Sequence, residues 1–244
     1  MKTLLAGFAT LSLLSAQSDL PRFDQPSART DKNSQIAHQQ LLAKRKQGRI
    51  DVYFEGDSIT RRWGATDYPQ LLENWKQNFF GWNAADFGWG ADRVENILWR
   101  LENGELDDVN PKVIVLLAGT NNVVDTAAAD ITRGLTAILR VMQAKAPNAV
   151  IILMGIFPRF DKLSALPRID AINANLAGMA DGRKVRYLNI NQNLTEGMLN
   201  ADKLHPARDG YQVWADALKP ILQELLGPPG SEDHAPPPTG DPSR

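Results

Sequence analysis

Two runs of the chain, Val113-Ile114-Val115-Leu116-Leu117 and Val150-Ile151-Ile152-Leu153-Met154, are apolar at every position. A strand with one wetted face alternates apolar and polar residues, whereas a strand covered on both faces has no such need. The runs therefore predict central strands of a parallel sheet with helices packed on each side. Three further β-rich runs are read at residues 50–55, 83–88 and 185–190, and helical periodicity fills residues 68–80, 92–102, 126–144, 168–180 and 209–226. In the last of these Tyr211, Trp214, Leu218, Ile221, Leu222 and Leu225 recur at steps that make one apolar stripe. Strands alternating with helices predict an α/β fold, a three-layer α/β/α sandwich around a five-stranded parallel sheet.

A length of 244 residues suits one such domain, expected over residues 49–226. Ahead of it Lys2 precedes an apolar run from Leu4 to Leu14, and Ala16-Gln17-Ser18 has the small-x-small form of a signal peptidase site. Residues 1–18 are expected to be a signal peptide, which implies a secreted or periplasmic protein. The run is shorter than the roughly 20 apolar residues of a spanning helix, so no membrane span is expected. Residues 19–48 read as a polar lead-in and a short helix at 34–47. From residue 227 the sequence GPPGSEDHAPPPTGDPSR has few apolar side chains and many prolines, and is expected to be disordered.

Charge and composition remove several functions. With 27 Lys and Arg against 28 Asp and Glu, the net charge of −1 offers no field for collecting phosphates, and a nucleic-acid partner is not expected. The chain has no cysteine, hence no disulfide, thiol nucleophile or cysteine-ligated metal.

Ligands of open parallel sheets bind beyond the carboxyl ends of the strands. Three successive strand ends carry polar, glycine-bearing turns there: Gly56-Asp57-Ser58-Ile59-Thr60, Gly88-Trp89-Gly90-Ala91-Asp92 and Gly119-Thr120-Asn121-Asn122. Far downstream Asp202-Lys203-Leu204-His205 sets a carboxylate three residues before an imidazole, a base with its orienter. Each piece has a bland reading. A Gly-Asp-Ser segment makes an ordinary turn, asparagines close loops on their own backbone, and His205 could cap the last helix. Asp202 and His205 could also ligate zinc, but a catalytic zinc takes three protein ligands and no third stands at ligand spacing. Of the three histidines, His38 falls in the peripheral first helix and His234 in the tail, which leaves His205 alone with a motif around it.

The blocks GDSIT, GWGAD, GTNN and DKLH stand in the order of the four consensus blocks of the SGNH (GDSL) hydrolases, over residues 50–226. Residues 96–106 and 110–115 extend the likeness, and they resemble the branch of that family containing platelet-activating-factor acetylhydrolase catalytic subunits. The resemblance implies a flavodoxin-like SGNH fold and a serine ester hydrolase without cofactor or metal. It implies Ser58 as nucleophile, His205 as its base and Asp202 as the orienting carboxylate. It also implies an oxyanion hole of the Ser58 and Ala91 backbone N–H groups and the Asn121 side chain. Where the family usually has glycine this chain has Ala91. If the turn demands positive φ the alanine costs on the order of 1 kcal/mol, and Gly90 is the alternative donor.

Asp57, Trp89 and Gly90 are expected to touch substrate, with Trp89 at the mouth of the pocket and Trp63 a second aromatic candidate. Trp99 and Trp214 fall on apolar helical stripes and are expected in the core. The expected substrate is a small acyl ester, acetyl first, of a carbohydrate; aryl or short-chain lipid esters are the next choice. A non-catalytic carbohydrate-binding protein on the same scaffold is the alternative of another class. The resembled subunit implies a homodimer.

Overall fold

The computed structural model describes residues 23–243, so the signal-like segment and the first part of the lead-in lie outside the described residues. The five strands are β1 (Val52–Gly56), β2 (Ala84–Asp86), β3 (Val113–Leu117), β4 (Val150–Met154) and β5 (Val185–Leu188). All pair in parallel in the order β2-β1-β3-β4-β5. From β1 the chain steps one way to β2 and returns to the other side for β3. The carboxyl end of β1 is therefore the switch point, where sheets of this kind take their ligands.

The continuously apolar runs are buried on both faces, as their pattern requires. Tyr53, Ile114, Leu116, Ile151 and Leu153 join one core cluster, while Val52, Phe54, Val113, Val115 and Ile152 join the other. The first is closed by α1 (Lys32–Lys44), α4 (Val94–Arg100), α5 (Ala128–Lys145) and α6 (Leu166–Met179). The second is closed by α2 (Ser58–Gly64), α3 (Pro69–Phe79) and α7 (Arg208–Leu226). Trp214 lies where its stripe predicts. Trp63, by contrast, is no ligand platform: it is wholly buried, 4.8 Å from the Trp214 ring, with its Nε1 donating to Asn74 Oδ1 at 2.9 Å. The helix read at 92–102 is two elements, α4 and a π-helical turn, Leu101–Glu105.

The expectation of a disordered tail is corrected. Trp82 Nε1 donates to Gly227 O at 3.0 Å, Gly230 N to Gly81 O at 2.9 Å, and Arg49 N to His234 O at 2.8 Å. Further along, Thr66 N donates to Thr239 O at 3.1 Å and Asp241 N to Asp67 Oδ1 at 2.8 Å. The tail is held through backbone groups that its composition does not display, and its prolines lower the entropy lost on ordering. Gly81 is needed for this: its φ is 85°, and a Cβ would stand 2.2 Å from Gly230 O. No described helix is long and apolar enough to cross a membrane.

Candidate active site

The nucleophile candidate begins a helix. Asp57 leaves β1 in extended conformation and its Oδ1 accepts from Ile59 N at 2.9 Å, which caps α2 and makes Ser58 the first helical residue. A seven-residue helix gives little periodicity, so its start was not legible as a helix. Ser58 is half-buried, and its Oγ lies 2.8 Å from His205 Nε2. On the other side of the ring, His205 Nδ1 lies 2.8 Å from Asp202 Oδ2. The carboxylate beside Nδ1 keeps the proton there and leaves the Nε2 lone pair facing the hydroxyl.

The loop carrying these groups is itself fixed. Asp202 Oδ1 accepts from the backbone N–H of His205 at 3.0 Å and of Leu204 at 3.1 Å, while Asn200 donates to the His205 carbonyl from both its backbone and its side chain. Burial opposes the Asp202 charge, but those two amides and the imidazole prevail and hold its carboxyl down to about 2. His205 is depressed, chiefly by burial and then by the Arg62 charge, against the pull of Asp202. A neutral imidazole at neutral pH follows, a form able to accept a proton.

The turn after β2 comes to the same end because it runs along β1: Phe87 N donates to Phe54 O at 2.8 Å and Trp89 N to Gly56 O at 3.0 Å. Gly88 permits the approach, since a Cβ there would stand 2.5 Å from Arg61 N. Ala91 is exposed with φ of 63°, so the turn does demand the left-handed region. Asn121 Nδ2 donates to Asp92 O at 2.8 Å, which aims the amide at this turn.

Two expected substrate contacts are corrected. Asp57 is fully buried as the α2 cap, and burial pushes its carboxyl up to about 7. Trp89 is 7% exposed, with Nε1 donating to Ser34 Oγ at 2.8 Å and Arg61 stacked 5.0 Å from its ring. It borders a separate cavity of about 450 Å³ between α1 and α4, whose lining includes Arg29, His38 and Trp99 but neither Ser58 nor His205. Trp99 is half-buried there rather than in the core. Gly90 is half-buried, its carbonyl accepting from Arg29 Nη1 at 3.1 Å.

Arg100 was missed. It is buried, and its guanidinium meets three buried carboxylates: Glu55 at 2.6 Å, Asp92 at 2.7 Å, and Glu105. It also donates to Phe87 O at 2.9 Å and Gly56 O at 3.3 Å, the last residues before the two turns of the site. The signal was present as Glu55 inside an apolar strand, which requires a buried cation. Burial raises Glu55, and raises Asp92 to about 6. Among the described residues no group of three or more His, Asp or Glu could hold a metal ion.

Residues 54–213 match the model of the GDSL-like lipase/acylhydrolase family. Over 200 residues the chain is 31% identical to platelet-activating factor acetylhydrolase IB subunit alpha2 of Homo sapiens, covering 78% of this chain and 83% of that one. Against subunit alpha1 of Bos taurus it is 30% identical over 213 residues, 84% and 89% of the two chains. Among solved structures, a GDSL-like lipase of Bacteroides thetaiotaomicron superposes with a TM-score of 0.63 at 19% identity, covering 79% of this chain and 98% of that one. A carbohydrate esterase family 3 protein of Talaromyces cellulolyticus does so with a TM-score of 0.55 at 21% identity, covering 72% and 97%. These two share the fold.

Proposed function

Since this chain belongs to the GDSL-like lipase/acylhydrolase family and is a carboxylic ester hydrolase, we propose that it cleaves short acyl esters, acetyl first, through Ser58, His205 and Asp202. The observation that carries this reading is the run of two 2.8 Å contacts from hydroxyl to imidazole to carboxylate. Ser58 Oγ attacks the ester carbonyl as His205 Nε2 takes its proton, and Asp202 steadies the resulting imidazolium. The negative oxygen of the tetrahedral intermediate is held by the Ser58 and Ala91 N–H groups and by the second hydrogen of Asn121 Nδ2. Collapse returns the proton to the departing alcohol and leaves acyl-Ser58. Water activated by the same imidazole then releases the acid.

Hydrolysis of p-nitrophenyl acetate tests this directly. Ser58→Ala is expected to lose at least about a thousandfold in turnover, and equal rates for wild type and variant would end the reading.

For the alcohol, the likeness to platelet-activating factor acetylhydrolase IB subunits favours a lipid acetyl ester. The signal-like amino terminus favours the second reading, an acetylated polysaccharide met after export from the cytoplasm. Comparing kcat/KM on acetylated glycerolipids and acetylated oligosaccharides separates them, and amino-terminal sequencing of the exported chain tests cleavage near residue 18. Pairing of two copies, as the resemblance implies, is read by light scattering.

A further inference from the structure

Arg62 stands on α2, four residues after Ser58. Its Nη1 donates to Asp202 Oδ2 at 3.3 Å, the same oxygen that lies 2.8 Å from His205 Nδ1. The guanidinium sits 5.3 Å from the Tyr68 ring, which holds it on this side of the helix. Arg62 is 24% and Asp202 41% exposed at the side chain. An ion pair this open adds little to stability, since water already screens much of it. Its effect falls instead on what the shared carboxylate can do. The charged groups facing His205 are Asp202 from its own loop, Asp161 from the loop after β4, and Arg62 from α2. The two carboxylates favour an imidazolium, and Arg62 alone of the three opposes it.

We propose that Arg62 is a positioning residue for ester hydrolysis: held on the nucleophile's own helix, it grips the Asp202 carboxylate and fixes how much of that charge is left for His205. The kinetic consequence rests on the proposed roles of Ser58 and His205; the electrostatic one does not. Removing the cation eases protonation of His205, so the group binds its proton at a higher pH. The unprotonated imidazole is the proton acceptor, hence activity on the acid side falls. In Arg62→Gln the acid limb of kcat/KM is expected to move up by roughly 0.5 pH unit at low ionic strength. Arg62 also borders an open depression of about 670 Å³ with Tyr68 and Arg208, within reach of solvent ions. The displacement should therefore shrink in about 1 M salt. Arg62→Lys keeps the charge and is expected to restore the limb most of the way.

The experiment pairs these pH profiles with NMR titration of the three histidines, the His205 signal being identified by its loss in His205→Asn. A raised His205 midpoint in Arg62→Gln, reversed in Arg62→Lys and diminished by salt, is the expected result. An unchanged or lowered midpoint at low salt overturns the proposal, whether or not any ester is cleaved. If the midpoint rises while the kinetic limb stays still, Arg62 acts on His205 as inferred and it is the role of His205 as base that fails. A fall in melting temperature with no movement of the midpoint also overturns it, because a merely structural contact would behave in that way.

Discussion

Ala91 holds φ at 63°, where its Cβ crowds the following carbonyl and glycine would be relaxed. The alanine is tolerated because neighbours on both sides fix the turn: Arg29 binds the Gly90 carbonyl at 3.1 Å, and Arg100 binds the Asp92 side chain at 2.7 Å. Ala91→Gly removes the crowding but gives the unfolded chain more freedom, two terms of opposite sign and similar size. The left-handed penalty is the larger, so the variant is expected to gain about 0.5–1 kcal/mol in urea unfolding and to keep hydrolysing ester. A lower unfolding midpoint would show that the turn is not strained. The motif was legible here and the geometry was not: a block of five letters names the residues of the turn, while φ is set by residues such as Arg29, which lies 61 positions from the Gly90 carbonyl it binds.

At the scale of elements, the turns that carry Ser58 and Ala91 are joined beneath by one side chain of α4. Arg100 reaches Glu55 on β1, Asp92 in the second turn, Glu105 in the π-helical turn, and the carbonyls of Gly56 and Phe87. From α1, His38 Nδ1 meets Glu105 Oε1 at 2.6 Å, so the helix that looked peripheral in sequence is keyed to the same cluster. Arg100→Met keeps the length and removes the charge, leaving three carboxylates buried together. A loss of about 3–5 kcal/mol is expected, with turnover falling in the molecules that still fold because two strand ends lose their common tie. Denaturant unfolding and p-nitrophenyl acetate hydrolysis measure both, and a variant as stable as wild type would mean that water replaces the guanidinium. Strand existence was legible because apolar runs are local. What Arg100 binds was not, since its partners are scattered from Glu55 to Glu105 and only folding collects them.

Across the whole molecule, the reading of the tail failed for a reason that composition cannot see. Counting apolar side chains tests whether a segment can make its own core; it says nothing about backbone groups offered by the body, such as Gly81 O and Arg49 N. β2 is an edge strand, and residues Pro236 to Pro238 lie with Ala84, Ala85, Trp75 and Phe79 around a cavity of about 330 Å³. Prolines have no N–H to donate, so they cover an edge without extending the sheet. Lys44, at the wall of this cavity, donates to Asp86 O at 2.7 Å, and burial lowers it to about 8. Removing residues 228–244 would open that edge and wet the lysine. The truncated chain is expected to melt several degrees lower, at roughly 2–4 °C for each kcal/mol lost in a domain of this size, and to aggregate faster on heating. Its first anchors, at Arg49, Gly81 and Asn83, precede β1 and β2 at the strand ends remote from Ser58, whereas its later ones, at Thr66 and Asp67, follow α2, the helix that Ser58 begins. Only the later contacts adjoin that helix, so hydrolysis per folded molecule at 25 °C should fall by no more than about tenfold, a margin of ~1.4 kcal/mol. Melting at an unchanged temperature with a large loss of turnover would mean that the tail serves the site instead of the edge.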